Sequence, residues 1–261
     1  MTLQQLIEQF GEQQVVGFFL VLARVSPLFA LAPLFSSKSV PMRVRGIVAV
    51  ALAIGLTPLV TGGAKLPTDP WGLGGMIGKE ILVGAGFAFT LAALFAALEV
   101  AGSFLDTLIG FSFGGLVDPI TGNQSAVLAR MYSLIGVLIF IAIGGDTWVI
   151  QGLARTYDVV GIDQVPDINV LVAGAVQSFS SIFLSAIQVA GPIVLALILT
   201  DAAFGVVSRV VPQLNVFAVG FPAKVTVGLL LLGVTLPFVG GWIDEELQRS
   251  VLQALQTLKV A

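Results

Sequence analysis

Long apolar runs restrict what this chain can fold into more than any other feature. They lie at residues 15–35, 46–60, 81–109, 126–144, 170–211 and 216–243, separated by short polar stretches. A helix that crosses a bilayer needs about 20 mostly apolar residues, so the runs predict five or six such helices, with 46–60 the shortest. The run at 170–211 is too long for one crossing. At a rise of about 1.5 Å per residue it would extend about 60 Å, against a hydrocarbon core of about 30 Å. With 216–243 it reads as a long helical hairpin, followed by a short amphipathic tail at 244–261. Composition agrees with this reading: hydrophobic residues make up 57% of the chain and charged residues 10%, and the mean hydropathy is +1.02. A soluble domain carries about 25% charged residues. The expected fold class is all-α, a helical membrane protein of about five to six apolar segments broken by a Gly/Phe-rich central loop.

The same composition removes several classes of function. The net charge of −3 is spread thinly and no basic run exists, so nucleic-acid binding has no electrostatic footprint. The chain has neither cysteine nor histidine, which excludes disulfides, thiolate or imidazole metal sites, cysteine nucleophiles and a histidine general base. No metal site, cofactor or enzymatic activity is expected. Gly144-Gly145-Asp146 with Tyr157-Asp158 faintly resembles the aspartyl pair of intramembrane proteases, but Ile143 takes the first glycine position and the order is wrong. Basic residues divide almost evenly between the loops that alternating crossings would create, so the positive-inside rule gives no orientation. The N-terminal stretch carries two acids and no basic segment, and it is not read as a cleavable signal peptide.

Between two of the runs lies G-S-F-L-D-T-L-I-G-F-S-F-G-G-L-V-D-P-I-T-G-N-Q, residues 102–124. Glycine opens backbone geometries closed to other residues, and Pro119 removes a donor and disfavours helix at Asp118. A helix is expected to end near Gly110 and another to start near Ser125, leaving a loop that carries Phe111, Ser112, Phe113, Gly114, Gly115 and Leu116. In hydrocarbon, irregular backbone is tolerated only where protein buries it or where it lines a cavity. The loop is thus a candidate for the working part of a pore or transporter. Its phenylalanines either pack or form an apolar constriction, since apolar rings can gate a conduit by dewetting. The flanking glycines favour the second role.

Charges inside the apolar segments are the other signal. Arg24, Glu99, Asp106, Asp201, Arg209 and Lys224 would each cost about 2.5–3.5 kcal/mol or more at the centre of an isolated span. They should face a partner, a cavity or one another. Two roles fit: a proton or ion pathway, or buried ion pairs that fix how helices assemble. With no histidine to titrate near neutral pH, the second is favoured. Glu99 and Asp106 lie seven apart, on a common helical face, and Ala93, Ala97 and Ala101 would let a neighbouring helix approach closely. Pro212, Gln213 and Asn215 form a polar turn between two apolar helices, with Arg209 one turn before it.

Four stretches match a known family. They are R-V-S-P-L-F-A-L-A-P-L-F from Arg24, V-P-M-R-V-R from Val40, G-F-S-F-G-G-L-V-D-P-I-T-G-N-Q from Gly110, and R-V-V-P-Q-L-N-V-F-A-V-G-F-P from Arg209. Together they resemble the flagellar biosynthetic protein R (FliR) family, whose injectisome relatives are the T subunits of type III secretion, and the resemblance spans essentially the whole chain. One departure is Gly145-Asp146, where many members carry Gly-His.

The resemblance implies an export-gate subunit of the flagellar basal body in the bacterial inner membrane. Its partners would be the P and Q subunits (FliP and FliQ), which form a helical ring with it, and the B subunit (FlhB) at the cytoplasmic mouth. Unfolded flagellar proteins would be the cargo and membrane lipid the surroundings. Residues 1–168 would be a P-like part, with the loop at 106–124 acting as a plug, and residues 169–261 a Q-like hairpin and tail. Phe111 and Phe113 would obstruct the pore. Arg24, Glu99, Asp106, Asp118, Pro119, Asp201, Arg209, Pro212, Gln213, Asn215 and Lys224 would hold helices and subunits in register. The alternative is a stand-alone secondary transporter with a broken-helix site near Asp118 and Asp201. Such proteins usually show paired interruptions in internal repeats, and the two interrupted regions here do not resemble each other.

Overall fold

Three helix starts follow local capping residues: Asp69, Asp167 and Asn215 each accept an amide of the turn that follows. The computed structural model describes residues 12–32, 35, 40–62, 66, 67, 69–111 and 126–258, and among these it forms seven helices. They are α1 (Glu12–Leu31), α2 (Met42–Val60), α3 (Pro70–Ile109), α4 (Val127–Ala142), α5 (Gly145–Val159), α6 (Ile168–Val210) and α7 (Val216–Thr257). The described structure is an all-α membrane protein: five helices are long and apolar enough to cross a bilayer, or six if the α4–α5 pair counts as one broken span.

Two elements extend ten residues or more beyond their apolar runs. α3 starts at Pro70 rather than at residue 81, because Asp69 Oδ2 accepts the Gly72 amide at 2.7 Å and proline suits the first helical position. The tail expected at 244–261 is not a separate piece, since α7 runs unbroken to Thr257. α3, α6 and α7 hold 40, 43 and 42 residues. Each is therefore about 60–65 Å long, roughly twice the thickness of a hydrocarbon core.

The residues form two compact units, and α3, α6 and α7 contribute to both. The first comprises Met1–Ala93, Gly144–Phe179 and Leu247–Ala261, and the second Leu94–Ile143 and Ser180–Glu246. In the first unit, Leu20, Val21, Arg24, Val25 and Leu28 of α1 are all fully buried. Their spacing makes one helical stripe, so Arg24 stands in the middle of an apolar face. α3 meets α1 backbone to backbone at Gly84, where a β-carbon would lie 2.1 Å from the Arg24 carbonyl oxygen. The stretch at 145–169, soluble and acidic by composition, opens with α5, which buries Val149, Leu153 and Tyr157 and leaves Asp146, Arg155 and Asp158 exposed. Leu247, Val251 and Ala254 carry the amphipathic face of α7 into this unit, and Leu258, just past the helix, continues it.

The core of the second unit joins Leu98, Ala101, Leu105 and Ile109 of α3 to Leu128 and Tyr132 of α4, with α6 and α7 completing it through residues such as Ile193 and Val239. Phe95 and Phe140 meet edge to face with centroids 5.5 Å apart. Ala97 and Ala101 are fully buried, as the small-residue spacing on α3 predicts. Much apolar surface stays uncovered: only 17% of the most apolar window of α7 is buried, and 22% of that of α2.

The Gly84 contact yields a stability test. Gly84→Ala forces a methyl group into the α1 backbone, a kind of overpacking that costs about 1–3 kcal/mol. The thermal midpoint of the detergent-purified chain, followed by circular dichroism, should fall. Gly46→Ala, on an open face of α2 with nothing within 4 Å, should leave it unchanged or slightly raised.

Candidate functional site

Two charged clusters organise the units, one in each. In the first, Arg24 Nε and Nη2 donate to Glu80 Oε2 and Oε1 at 2.5 and 3.1 Å, a two-point pairing that uses the planar fork of the guanidinium. Nη1 donates to Thr156 Oγ1 at 3.3 Å and to the Val160 carbonyl at 3.0 Å. The Tyr157 ring lies under the guanidinium, 3.9 Å from its centroid to Cζ, where the ring face attracts a cation. Lys79 Nζ contacts Glu80 Oε1 at 2.9 Å and donates to the Ile162 carbonyl at 2.5 Å. Arg24 and Glu80 are both fully buried. The cluster thus ties α1, α3, α5 and the chain after α5 together through one arginine.

The second cluster surrounds the point where the chain leaves α3. The helix ends at Ile109, and Gly110 adopts φ +99°, a value that glycine tolerates and L side chains avoid. Phe111 follows, half-buried against the unit's core. Lys224 Nζ donates to the Leu108 carbonyl at 3.3 Å, a cation at the negative end of a helix, and pairs with Asp201 Oδ1 at 2.6 Å. Asp106 is buried at 1% exposure. Its carboxylate accepts the Leu128 and Ala129 amides, both at 3.0 Å, so it caps the start of α4.

The structure therefore brings Asp106, Asp201 and Lys224 to one region and places Arg24 in the other unit. Glu99, though it shares a helical face with Asp106, is exposed and has no side-chain partner among the described residues; Arg209, in the last turn of α6, is likewise exposed and unpaired among them. Pro212, Gln213 and Asn215 form an exposed turn, and Asn215 Oδ1 accepts the Ala218 amide at 3.1 Å to cap α7. Ser112, Phe113, Gly114, Gly115, Leu116, Asp118 and Pro119 lie outside the described residues. Sequence reasoning missed Lys79 and Glu80, Thr156, Tyr157 and Gly102. Glu80 adjoins the first residue of the run counted from 81, and the three-and-four spacing of Leu20 to Leu28 already placed Arg24 on a buried stripe that needed an acid.

Among the described residues no group of three or more carboxylates could hold a metal ion. The clusters and the apolar helices define a membrane protein whose ionic groups hold helices together. The profile described as bacterial export proteins, family 1, matches residues 15–250. The chain belongs to that family. Flagellar biosynthetic protein FliR of Escherichia coli (strain K12) is 30% identical to it over 227 residues, 87% of each chain. The protein of the same name from Bacillus subtilis (strain 168) is 32% identical over 226 residues, covering 85% of this chain and 87% of the relative. That of Caulobacter vibrioides is 28% identical over 233 residues, covering 88% and 93%.

The arginine cluster makes a sharp energetic prediction. Glu80→Ala leaves a buried guanidinium without its counter-charge, which costs about 3–5 kcal/mol. The paired change Arg24→Met with Glu80→Leu removes the arginine together with its acid, leaves Lys79 on the Ile162 carbonyl, and should recover part of the loss. Thermal scans of the wild type, the single variant and the double variant in detergent measure the difference.

Proposed function

We propose that this component of bacterial protein export is a core subunit of the flagellar type III export gate, seated in the inner membrane at the flagellar basal body. With P and Q subunits (FliP and FliQ) it forms the pore through which unfolded flagellar proteins cross, and the B subunit (FlhB) lies at the cytoplasmic mouth. Residues 1–168 act as the P-like part and 169–261 as the Q-like hairpin. The connection around 110–118 is the plug, obstructed by Phe111 and Phe113. The subunit performs no bond-making chemistry.

The observation that carries this reading is the family match along nearly the full chain, residues 15–250. The uncovered apolar faces of α2 and α7 support it, since sister helices can bury them without the water-driven penalty that exposure would bring. Glu99, Arg209 and the turn at Pro212, Gln213 and Asn215 are exposed and so available to neighbouring subunits. Arg24 and Asp106, by contrast, find their partners within the chain.

Mass analysis of the detergent-extracted complex tests the assignment directly. A gate subunit copurifies with smaller helical membrane proteins, whereas a monomer or homo-oligomer that carries a small solute would refute the proposal. Phe111→Ala with Phe113→Ala should raise ion leak through the assembled complex without preventing assembly, and unchanged conductance removes the plug assignment. Arg209→Ala should weaken assembly more than it changes leak, read from the fraction of intact complex on a native gel.

A further inference from the structure

α4 begins without a cap of its own. Its N-cap position is Ala126, which makes no side-chain hydrogen bond, so the first amides of the helix need an acceptor from elsewhere. The positions usually served by a local cap are the second and third helical amides, here Leu128 and Ala129. Both donate instead to Asp106, one to each carboxylate oxygen at 3.0 Å. The cap therefore comes from a different helix, more than twenty residues upstream, and it is buried. The same residue also holds the other end: its main-chain carbonyl accepts the Gly110 amide at 3.1 Å, the last bond before the chain turns at the left-handed glycine. One turn earlier on α3, a β-carbon at Gly102 would lie 2.4 Å from the Ala129 Cα. The absence of a side chain there lets the start of α4 approach close enough for Asp106 to reach it.

We infer that Asp106 is a positioning residue for the start of α4: its carboxylate holds Leu128 and Ala129 against the end of α3 that Gly110 closes. Lys224, paired with Asp201, braces the end of α3 at the Leu108 carbonyl. A carboxylate is required because both amides are donors. An asparagine would present one acceptor and one donor, and would lose one bond. The placement of α4 follows from the contacts alone; only an effect on leak rests on the plug reading above.

The absence of cysteine allows a clean distance measurement. Spin labels attached through Thr107→Cys on α3 and Arg130→Cys on α4, both exposed positions, report the separation of the two helix ends in the full-length chain within its purified complex. With Asp106→Ala, the distance distribution should broaden or lengthen, and hydrogen exchange at the Leu128 and Ala129 amides should speed up about tenfold, the loss of a buried cap. Asp106→Asn, which keeps the shape and one acceptor, should fall between the two and guards against a variant that fails to fold. The deciding measurement adds Ala126→Asp to Asp106→Ala. A local cap should restore slow exchange at Leu128 and Ala129 but leave the distance distribution altered, because it does not reach α3. Unchanged exchange and distances in Asp106→Ala overturn the inference, as does full recovery of the distances by Ala126→Asp, which would reduce Asp106 to a cap. Altered distances with unchanged leak uphold the positioning role and count against the plug.

Discussion

Every charge or backbone polar group that this chain withdraws from water must be answered by another part of the chain. The interior is too apolar to supply alternatives, and an unpaired buried charge or amide costs far more than a single contact returns. Arg24 shows the constraint most plainly. It sits on the buried stripe of α1, and each of its three nitrogens finds an acceptor, on α3, on α5 and on the chain that follows α5. Those acceptors specify which helices must be neighbours. A buried ion pair is weak evidence for stability, since apolar side chains of equal volume often do as well. What the arginine contributes is selection of one arrangement among several that apolar surfaces alone would accept. The Asp106 contact obeys the same rule with an amide pair in place of a cation.

The architecture was legible because apolar runs announce helices. Five or six segments, the break after Gly110 and the overlong hairpin could all be counted from residue order. The boundaries at Pro70 and Thr257 were not, since an Asp69 cap carries α3 across several glycines and a charged but amphipathic segment prolongs α7. At the clusters, the residue types were legible but their partners were not. Asp106 was visible as a charge in an apolar run, yet its destination depends on a backbone approach at Gly102 that no periodicity encodes. Glu99 and Asp106 share a helical face by spacing, but α4 starts opposite only one of them, and burial divides them accordingly.

The surface carries complementary information. Within each unit the buried residues follow three-and-four spacing, but α2 and the apolar part of α7 keep most of their large side chains outside. Residues such as Leu59, Phe217 and Val234 are more than two-thirds exposed, at 79%, 79% and 74%. Lipid can cover such faces, and so can helices from other chains. Such uncovered faces are what the proposed place among other subunits of an export apparatus requires.

The reach of the arginine contacts has a consequence for how the protein is made. Glu80 lies 56 residues after Arg24, and Thr156 and Val160 lie 132 and 136 residues after it. A polypeptide leaving the ribosome from its N-terminus emerges in that order, and domains generally fold as units when enough chain is available. α1 must therefore wait, its guanidinium still hydrated, until the chain has been translated past Val160. The same unit takes its final stripe from Leu247 to Leu258, so it cannot close until that stripe has been translated.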